Sequence, residues 1–289
     1  MADADGQTDS PRVAFQGELG AFSEEAVHRF FGERVTPIPR REFTEVGRSV
    51  ADGEVDFGLL PIENSLAGSV VGSYDVLAAG DLTIVGEVIT PIHHCVLGPR
   101  GATVDGLKRV LSHPVALMQC TRFLRSLKNV EAIAVYDTAG AAKEVADQGD
   151  VTQAAIAAQR AAERYDLDVL AENVEDRPDN QTRFLVVVGS SAPITPPELP
   201  DRREAPWKSA ALVETSNTPG ALLEVLSPFS ERGINLSKLE SRPAGEPWTY
   251  RFFLEMDADA ASPEAAAALD QVRQRAIRLH VLGTYPRWT

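Results

Sequence analysis

The sequence has little of several features that would define other classes of protein. Only two cysteines, Cys95 and Cys120, occur in 289 residues. They are too few for a disulfide framework and lack the paired spacing of a zinc site. Basic residues are in deficit, because 28 lysines and arginines face 42 aspartates and glutamates, for a net charge of −14. A field of that sign repels phosphate backbones and anionic membrane surfaces, so neither nucleic acid nor a membrane is expected as a partner.

Long apolar segments are missing as well. No run approaches the roughly 18 residues of a membrane-spanning helix, and the opening MADADGQTDSPR is polar and acidic, the reverse of a secretory signal peptide. The chain contains no P-loop, HExxH or nucleophile-elbow pattern, which argues against nucleotide, zinc and hydrolase chemistry. His93 and His94 are adjacent in a strand pattern and face opposite ways, so structural roles are expected for them. These features predict a cytoplasmic protein without a metal or cofactor.

What remains is an ordinary globular composition, with 44% apolar and 24% charged residues, and a length that suits about two domains. Five prolines between Pro193 and Pro206 predict a stiff linker at residues 191–206, and residues 1–11 are expected to be a disordered tail. Upstream of the linker, short apolar runs alternate with helical patterns, as in an α/β domain with largely parallel strands. The predicted strands are RVAFQG, VDFGLLPI, LTIVGEVI, KRVLSH, EAIAVY, DVLAENV and TRFLVVV, and the predicted helices are residues 22–31, FTEVGRSVADG, VGSYDVLAAG, PVALMQCTRFLRSL and TAGAAKEVADQ.

Residues 207–289 follow a different order of elements. Their strand patterns are KSAALVET, INLSKLES, WTYRFFLEM and VLGTYPR, and their helical patterns are TPGALLEVLSPFSERG and AALDQVRQRAIRL. Taken in chain order, they predict the βαββαβ arrangement of a ferredoxin-like fold, with helices on one face of the sheet. The opposite face would be open, which favours association with a second copy of the chain.

Three polar clusters stand where apolar strands are predicted to end, the position at which open α/β sheets bind ligands. Each also has a plain structural interpretation: a capped turn, a helix-capping serine, and a surface loop with a paired arginine. The clusters are Pro61, Glu63, Asn64 and Ser65; Ser112 with Gln119; and Asp179, Asn180, Gln181, Thr182 and Arg183.

The third cluster has a geometric requirement. Thr182 and Arg183 would point to opposite faces of a regular strand, so both reach one ligand only if the chain is still irregular there. Pro178 is compatible with such an irregular segment.

Together these residues resemble the prephenate dehydratase family, in its monofunctional form with an appended ACT domain. The resemblance extends from about Arg12 to about Arg287. The ESRP signature of the ACT domain appears within LSKLESRP at residues 236–243, and its companion GAL segment lies at residues 219–223. The long signature of the catalytic domain, which ends in TRF, is met by Tyr165, Leu167, Leu170, Asp176, Thr182, Arg183, Phe184, Leu185 and Val187.

The resemblance implies a fold of two parts. Residues 12–190 would form a two-lobed α/β catalytic domain like a periplasmic binding protein, with lobe 1 at about 12–95 and 178–190 and lobe 2 at about 96–177. Residues 207–289 would form the ACT domain, in agreement with the ferredoxin-like order of elements.

The resemblance also implies a reaction, the conversion of prephenate to phenylpyruvate with loss of water and carbon dioxide on the route to L-phenylalanine. Because formation of an aromatic ring drives it, the enzyme needs no cofactor and must mainly hold a dianion and help a hydroxide leave. Thr182 would polarise the leaving hydroxyl, and Arg183 would pair with a substrate carboxylate. The other implied catalytic residues are Asn64, Ser112 and Gln119, and the implied substrate-binding residues are Phe22, Glu63, Ser65, Asn180 and Phe184.

For the C-terminal part, the resemblance implies feedback inhibition by L-phenylalanine bound between two ACT domains, and therefore a homodimer or homotetramer. Two alternatives stay open: an arogenate dehydratase, whose substrate has an amino group where prephenate has a keto group, and a non-catalytic metabolite sensor. The intact set around Thr182 favours an enzyme over a sensor. The implied effector-binding residues are Gly220, Ala221, Leu222, Asn235, Leu236, Glu240 and Ser241.

Overall fold

The computed structural model describes residues 10–191, 206–245 and 249–288. The predicted linker lies almost entirely outside the described residues, as do most of the predicted tail and Trp248. The strands are β1 (Arg12–Gln16), β2 (Thr36–Arg40), β3 (Phe57–Asn64), β4 (Gly68–Ser69), β5 (Leu82–Pro91), β6 (Cys95–Gly98), β7 (Arg109–Ser112), β8 (Glu131–Ala134), β9 (Gln153–Ala157), β10 (Asp168–Ala171), β11 (Gln181–Gly189), β12 (Trp207–Glu214), β13 (Leu236–Pro243), β14 (Tyr250–Met256) and β15 (Arg278–Pro286). The helices are α1 (Phe22–Phe31), α2 (Phe43–Ala51), α3 (Val71–Ala78), α4 (Pro114–Gln119), α5 (Thr121–Ser126), α6 (Thr138–Gln148), α7 (Gln159–Tyr165), α8 (Ala221–Ser230) and α9 (Pro263–Arg275), with a short 3₁₀ turn at Val104–Gly106.

The first sheet forms lobe 1 and has the strand order β2-β1-β3-β11-β5. β1 pairs in parallel with β2 and β3, whereas β11 runs antiparallel to β3 and β5. Alternate residues of β1 face opposite sides, so Val13 and Phe15 pack against α1 while Ala14 packs with α2 and α3. Helices therefore cover both faces of this sheet.

The second sheet forms lobe 2, in the order β10-β6-β9-β7-β8. β7 pairs in parallel with β8 and β9, and β6 is antiparallel to β9 and β10. The chain crosses between lobes twice, between β5 and β6 and between β10 and β11. The expectation of largely parallel strands was wrong in part. β11 returns from lobe 2 and enters the first sheet at the side where the parallel strands β1 and β3 end, so it runs antiparallel to them.

The single helix expected over PVALMQCTRFLRSL is two short helices in the structure. The backbone leaves helical geometry at Cys120, where φ is −117° and ψ is 28°. The break separates α4, which ends at Gln119, from α5.

The C-terminal domain has the predicted βαββαβ order, and this prediction is confirmed. Its antiparallel sheet has the order β13-β14-β12-β15, and α8 and α9 pack on one face of it around Phe229 and Leu269. Within the described part of the chain, no helix is both long enough and apolar enough to cross a bilayer.

The second face of the C-terminal sheet is not open, contrary to expectation. Leu212, Phe253 and Tyr285 share one apolar core with Tyr74 and Ile84 of lobe 1. The rings of Tyr74 and Phe253 meet edge to face, with centroids 5.0 Å apart. Lobe 1 of the same chain therefore buries the surface that was expected to attract a second copy.

We predict that Gly283→Ala destabilises the contact between the two domains. A Cβ on Gly283 would lie 2.1 Å from the carbonyl oxygen of Ile84, on β5, so β15 and β5 would have to separate. Overpacking of this kind costs about 1–3 kcal/mol, which urea unfolding of the full chain would measure as a lower free energy of unfolding. Gly106→Ala is the control, because Gly106 is exposed and the nearest atom to its added Cβ is the side-chain oxygen of Thr103. Equal losses in the two variants would contradict the prediction.

Candidate active site

A cavity of about 440 Å³ lies between the two lobes, within the usual range for a small-molecule site. The parallel strands β1 and β3 end there at Gln16 and Asn64, and in lobe 2 the segments after β7 and β8 contribute His113 and Tyr136. The cleft thus follows the rule that ligands bind at the carboxyl ends of parallel strands.

Thr182 lines this cleft, and its hydroxyl accepts a hydrogen bond there. It is the second residue of β11 and pairs in register with Asn64, whose Nδ2 donates to Thr182 Oγ1 at 3.0 Å. Asn64 Oδ1 accepts the backbone N–H of Ala67 at 2.8 Å, which fixes which end of the amide donates. Because Thr182 Oγ1 is an acceptor in this bond, its own hydrogen is available to a group in the cleft.

Two further amides connect the lobes. Asn180 is completely buried; its Oδ1 accepts from Asn64 Nδ2 at 2.8 Å, and its Nδ2 donates to Gln119 Oε1 at 3.0 Å. Gln119 Nε2 in turn lies 3.4 Å from Asn64 Oδ1. Gln119 belongs to lobe 2 and Asn64 to lobe 1, so the amides around Thr182 bridge the lobes.

His94 also lines the cleft, a position that the sequence analysis missed. Its Nε2 lies 3.2 Å from Gln119 Oε1. Since that oxygen accepts, Nε2 must bear the hydrogen. The ring meets Phe22 edge-on, with centroids 5.2 Å apart. Burial lowers the pKa of His94, so the ring is neutral and its buried Nδ1, which has no hydrogen-bond partner in the described residues, is unprotonated. The sequence clue was its position just before the chain crosses to lobe 2.

No lysine or arginine side chain is among the described residues that line the cleft. Peptide dipoles at the start of a helix can supply positive potential in their place. Helix α1 begins at Phe22, and Ala21 at its N-cap position has no side-chain oxygen to accept the free N–H groups of the first turn. At the cleft, the guanidinium of Arg41 stacks 5.6 Å from the ring centroid of Tyr136. Within the described residues, no cluster of His, Cys, Asp or Glu side chains could hold a metal ion.

Asp137 is the one carboxylate among the described lining residues. It caps α6, its Oδ1 accepting the N–H of Gly140 at 2.5 Å. Its Oδ2 is buried and has no hydrogen-bond partner within 3.5 Å among the described residues. Burial raises the pKa of this carboxyl group and outweighs the opposing effect of backbone N–H groups, chiefly that of Gly140.

Arg183 does not reach the cleft, which corrects the expectation that it binds a substrate carboxylate. β11 is regular enough that neighbouring side chains alternate, so Arg183 points away from Thr182. Its Nε donates to Glu63 Oε1 at 2.7 Å, and its Nη1 lies 3.0 Å from Glu87 and 2.9 Å from Glu255 of the C-terminal domain. Glu63 is therefore an ion-pair partner and not a substrate contact. Arg183 and Lys238 hold the pKa of Glu63 low, outweighing the opposing effect of burial.

Two predicted serines also lie elsewhere. Ser112 is completely buried, and its Oγ donates to the carbonyl of Ile156 on β9 at 2.6 Å, so it secures the sheet of lobe 2. Ser65 Oγ donates to the carbonyl of Asp179 and accepts the N–H of Gln181, which joins the end of β3 to the start of β11. Neither belongs to the cleft lining, whereas the predicted Phe22 and Phe184 do.

The predicted effector residues occupy two places in the C-terminal domain. Gly220, with φ of 89°, precedes α8, whose first turn holds Ala221 and Leu222. Asn235 donates to Asp257 at 2.7 Å, just before Leu236 begins β13. Glu240 and Ser241 point to opposite faces of β13: Ser241 is exposed, whereas Glu240 accepts a hydrogen bond from Ser69 of lobe 1 at 2.6 Å. In this structure the Glu240 side chain therefore binds lobe 1.

Comparison with known families gives two matches along the chain. Residues 13–191 match the family model described as prephenate dehydratase, and residues 210–274 match the ACT domain. A bifunctional chorismate mutase/prephenate dehydratase of Pseudomonas aeruginosa is 39% identical over 96% of this chain and 73% of its own. An arogenate dehydratase/prephenate dehydratase of Arabidopsis thaliana is 37% identical over 98% of this chain and 74% of its own.

Solved structures agree over nearly the full length. A prephenate dehydratase of Arthrobacter aurescens in complex with L-Phe has a TM-score of 0.86 and 32% identity, covering 96% of this chain and 90% of that one. The quorum-quenching acylase GqqA has the same TM-score of 0.86 and the same 32% identity, covering 96% and 98%. The fold is therefore shared by proteins described with different activities, and the activity has to be argued from the site.

We predict that the buried neutral state of His94 makes the protein less stable in mild acid. Its pKa in the folded state lies below the unfolded value, so the unfolded state binds the proton first as the pH falls. The free energy of unfolding should therefore decrease below about pH 6.5, by at most about 1.4 kcal/mol per pH unit for this proton. His94→Gln keeps an N–H donor for Gln119 and should lose this share of the decrease. The measurement is urea unfolding at several pH values between about 7.5 and 5.5.

His113 remains in both proteins. Burial lowers its pKa as well, so some pH dependence will persist in the variant. The same pH dependence in the wild type and the variant would mean that His94 is not held neutral.

Proposed function

Because this chain belongs to the prephenate dehydratase family, we propose that its cleft converts prephenate to phenylpyruvate, with loss of the ring hydroxyl and of the ring carboxylate as carbon dioxide. The C–O bond to the hydroxyl breaks, and the electron pair of the bond to the carboxylate completes the aromatic ring. The leaving hydroxide takes up one proton to become water. The product supplies the driving force, so the enzyme has to orient a dianion and stabilise the departing oxygen.

Thr182 provides the stabilisation of the departing oxygen. Its hydroxyl is too weak an acid to give up its proton near neutral pH, so it acts by donating a hydrogen bond that strengthens as charge develops on the leaving oxygen. The side-chain amide of Asn64 donates a hydrogen bond to this hydroxyl, and the side chains of Asn180 and Gln119 hydrogen-bond to Asn64 in turn. The departing hydroxide becomes water by taking up one proton from the bulk solvent, so each turnover consumes one solvent proton. This arrangement is preorganised, because the amides need not rotate when the reaction begins.

The two substrate carboxylates meet different surroundings. The free N–H groups at the start of α1 are suited to the side-chain carboxylate. The ring carboxylate loses favourable hydration in a cleft bordered by Phe22, Ile92 and Phe184, and this loss favours its departure as neutral carbon dioxide. The absence of a lysine or arginine among the described lining residues is consistent with this scheme, because a tight ion pair would stabilise the carboxylate that must leave.

The hydrogen bond from Asn64 to Thr182 is the observation on which the proposal rests. It orients a hydroxyl donor into a shielded cleft that the family match independently associates with dehydration.

We predict that Thr182→Val lowers kcat for prephenate by about 10²- to 10³-fold, with little change in KM, because the lost hydrogen bond acts mainly in the transition state. Thr182→Ser keeps the hydroxyl and should stay within about tenfold of the wild type. Formation of phenylpyruvate from prephenate is the measurement. Thr90→Val is the matched control. Thr90 belongs to β5 and is the cross-strand partner of Thr182, and its buried hydroxyl has no hydrogen-bond partner among the described residues. Near-normal turnover by Thr182→Val would remove Thr182 from the reaction.

Arogenate is a second candidate substrate, and Asp137 is the observation that favours it. Arogenate bears an ammonium group in place of the keto group of prephenate, and a carboxylate with an unpartnered oxygen can pair with an ammonium group. Relatives described as arogenate dehydratases, such as that of Petunia hybrida, are about as similar to this chain as those described as prephenate dehydratases.

We predict that Asp137→Asn lowers kcat/KM for arogenate about tenfold or more relative to kcat/KM for prephenate, because a hydrogen bond to a charged group is worth about 1.5–3 kcal/mol. Asparagine caps a helix as well as aspartate does, so α6 should be preserved. Asp150→Asn is the control, since Asp150 also accepts hydrogen bonds in lobe 2 but is exposed. An unchanged ratio of the two kcat/KM values would exclude Asp137 from substrate selection.

We further propose that L-phenylalanine inhibits the enzyme through the ACT domain, as the description of the Arthrobacter aurescens complex suggests. Binding between two ACT domains would make the enzyme a homodimer at least. The contact would have to use an edge or helix face, because lobe 1 covers the sheet. We propose a cytoplasmic location, which suits the two buried free thiols, Cys95 and Cys120.

A further inference from the structure

A cluster of six charged side chains lies between lobe 1 and the ACT domain, directly behind Thr182. We call it the interdomain ion cluster. Arg183 contacts all three of its carboxylates, and the two lysines contact them from the ACT side: Lys208 Nζ lies 3.2 Å from both Glu87 and Glu255, and Lys238 Nζ lies 2.6 Å from Glu63. Its members are Glu63, Glu87 and Arg183 of lobe 1 and Lys208, Lys238 and Glu255 of the ACT domain.

The cluster is one residue away from the candidate catalytic pair. Thr182 pairs in register with Asn64, and Arg183 pairs with Glu63. The first pair faces the cleft and the second faces the ACT domain. Consecutive Cα atoms are fixed about 3.8 Å apart, so a movement that pulls on Glu63 or Arg183 also displaces Asn64 or Thr182.

The same ACT strand reaches the cleft by a second contact. Ser69, on the short strand β4, lines the cleft and donates to Glu240 Oε2 at 2.6 Å. Lys238 Nζ donates both to Ser69 Oγ at 3.2 Å and to Glu63 Oε2 at 2.6 Å. Lys238 therefore contacts both strands of the β3–β4 hairpin, which contains Asn64.

The position of β13 makes it suitable for relaying a signal. It is the edge strand of the ACT sheet, and its side chains alternate between a half-buried face toward lobe 1 and an exposed face. Lys238 and Glu240 lie on the inner face, whereas Ser241, one of the expected effector contacts, lies on the outer face. An edge strand is bonded on one side only, so it can shift with less loss of pairing than a central strand.

We propose that Lys238 couples effector binding on the outer face of β13 to the position of Asn64 and Thr182 in the cleft. The proposal rests on the proposed function of the cleft and on L-phenylalanine as effector. In the structure described here, Lys238 holds the β3–β4 hairpin by two hydrogen bonds. The effector acts by displacing β13, and because Lys238 moves with that strand while bonded to Glu63 and Ser69, it displaces the hairpin as well. Lys238 touches no substrate in this scheme, so it is a positioning residue.

The test compares L-phenylalanine binding and inhibition in full-length variants. Lys238→Met keeps the aliphatic stem and removes the charge. We expect its kcat/KM without effector to stay within about threefold of the wild type, its binding of L-phenylalanine by calorimetry to be unchanged, and its inhibition constant to rise about tenfold or more. Lys238→Arg, which keeps the charge and the donors, should restore inhibition. Ser241→Leu should instead lose binding and inhibition together, the pattern of a damaged effector site.

Asp75→Asn is the matched control. Asp75 of α3 pairs with Arg242, which lies on the same face of β13 as Lys238, at 3.2 Å, but Asp75 does not line the cleft. Its loss should leave inhibition intact.

Several results would overturn the coupling role. They are wild-type inhibition in Lys238→Met, an equal loss of inhibition in Asp75→Asn, and failure of Lys238→Arg to restore it. If Lys238→Met loses the native circular dichroism spectrum, Lys238→Gln takes its place in the same comparison. A wild type that turns over prephenate without responding to L-phenylalanine would overturn both the effector and the relay while leaving the catalytic proposal intact. A wild type that binds L-phenylalanine but does not turn over prephenate would instead contradict the catalytic proposal.

Discussion

The alternation of side chains along β11 is the constraint on which both halves of the molecule depend. It sends Thr182 into the cleft and Arg183 toward the ACT domain, so one stretch of backbone serves the candidate reaction centre and the domain interface. β3 alternates in the same way. The cross-strand pairs Thr182–Asn64 and Arg183–Glu63 lie on opposite faces of the sheet, and together they fix the register of β11 against β3. A slip of one residue would exchange the faces. It would bring a guanidinium into the cleft, remove the hydroxyl from it and leave the carboxylates of the interface without their main partner.

The cleft combines an anionic substrate class with a neutral lining, and this combination fits the chemistry of the family. Amides, a neutral imidazole and the start of α1 can orient a dianion without binding it so tightly that its carboxylate is protected from loss. A histidine kept neutral by burial beside Gln119 adds a fixed donor and not a mobile charge. The site therefore depends on preorganised dipoles. Asp137 is the exception: one of its carboxylate oxygens caps α6, and burial raises the pKa of the group.

Local patterns predicted the ferredoxin-like ACT domain and most strands of the lobes, because alternation and helix signals act over a few residues. Four strands of the lobes were not predicted, namely β2, β4, β6 and β9. β2 contains two prolines, which are tolerated because it is an edge strand. β9 consists mostly of alanine and is a strand only because it lies between β6 and β7. Thr182 and Gln119 were selected by motif, and the structure brings them to one cleft. The direction of Arg183 and the burial of Ser112 depend on partners distant in sequence, Glu255 and the Ile156 carbonyl, which local spacing does not identify.

The interface between lobe 1 and the ACT domain has two parts with different physical character. The apolar part, around Tyr74 and Phe253, provides area and is tolerant of small displacements, since hydrophobic contact is not directional. The interdomain ion cluster behaves differently. The attraction between its buried charges offsets the free-energy cost of their desolvation only in a narrow range of geometries. A displacement of β13 would therefore be resisted weakly by the apolar contacts and strongly by Glu63 and Lys238. The ion pair between Lys238 and Glu63 therefore passes such a displacement on to the β3–β4 hairpin, whereas the apolar contacts yield to it. Its location behind Thr182, and not elsewhere on the interface, links the state of the ACT domain to the candidate reaction centre.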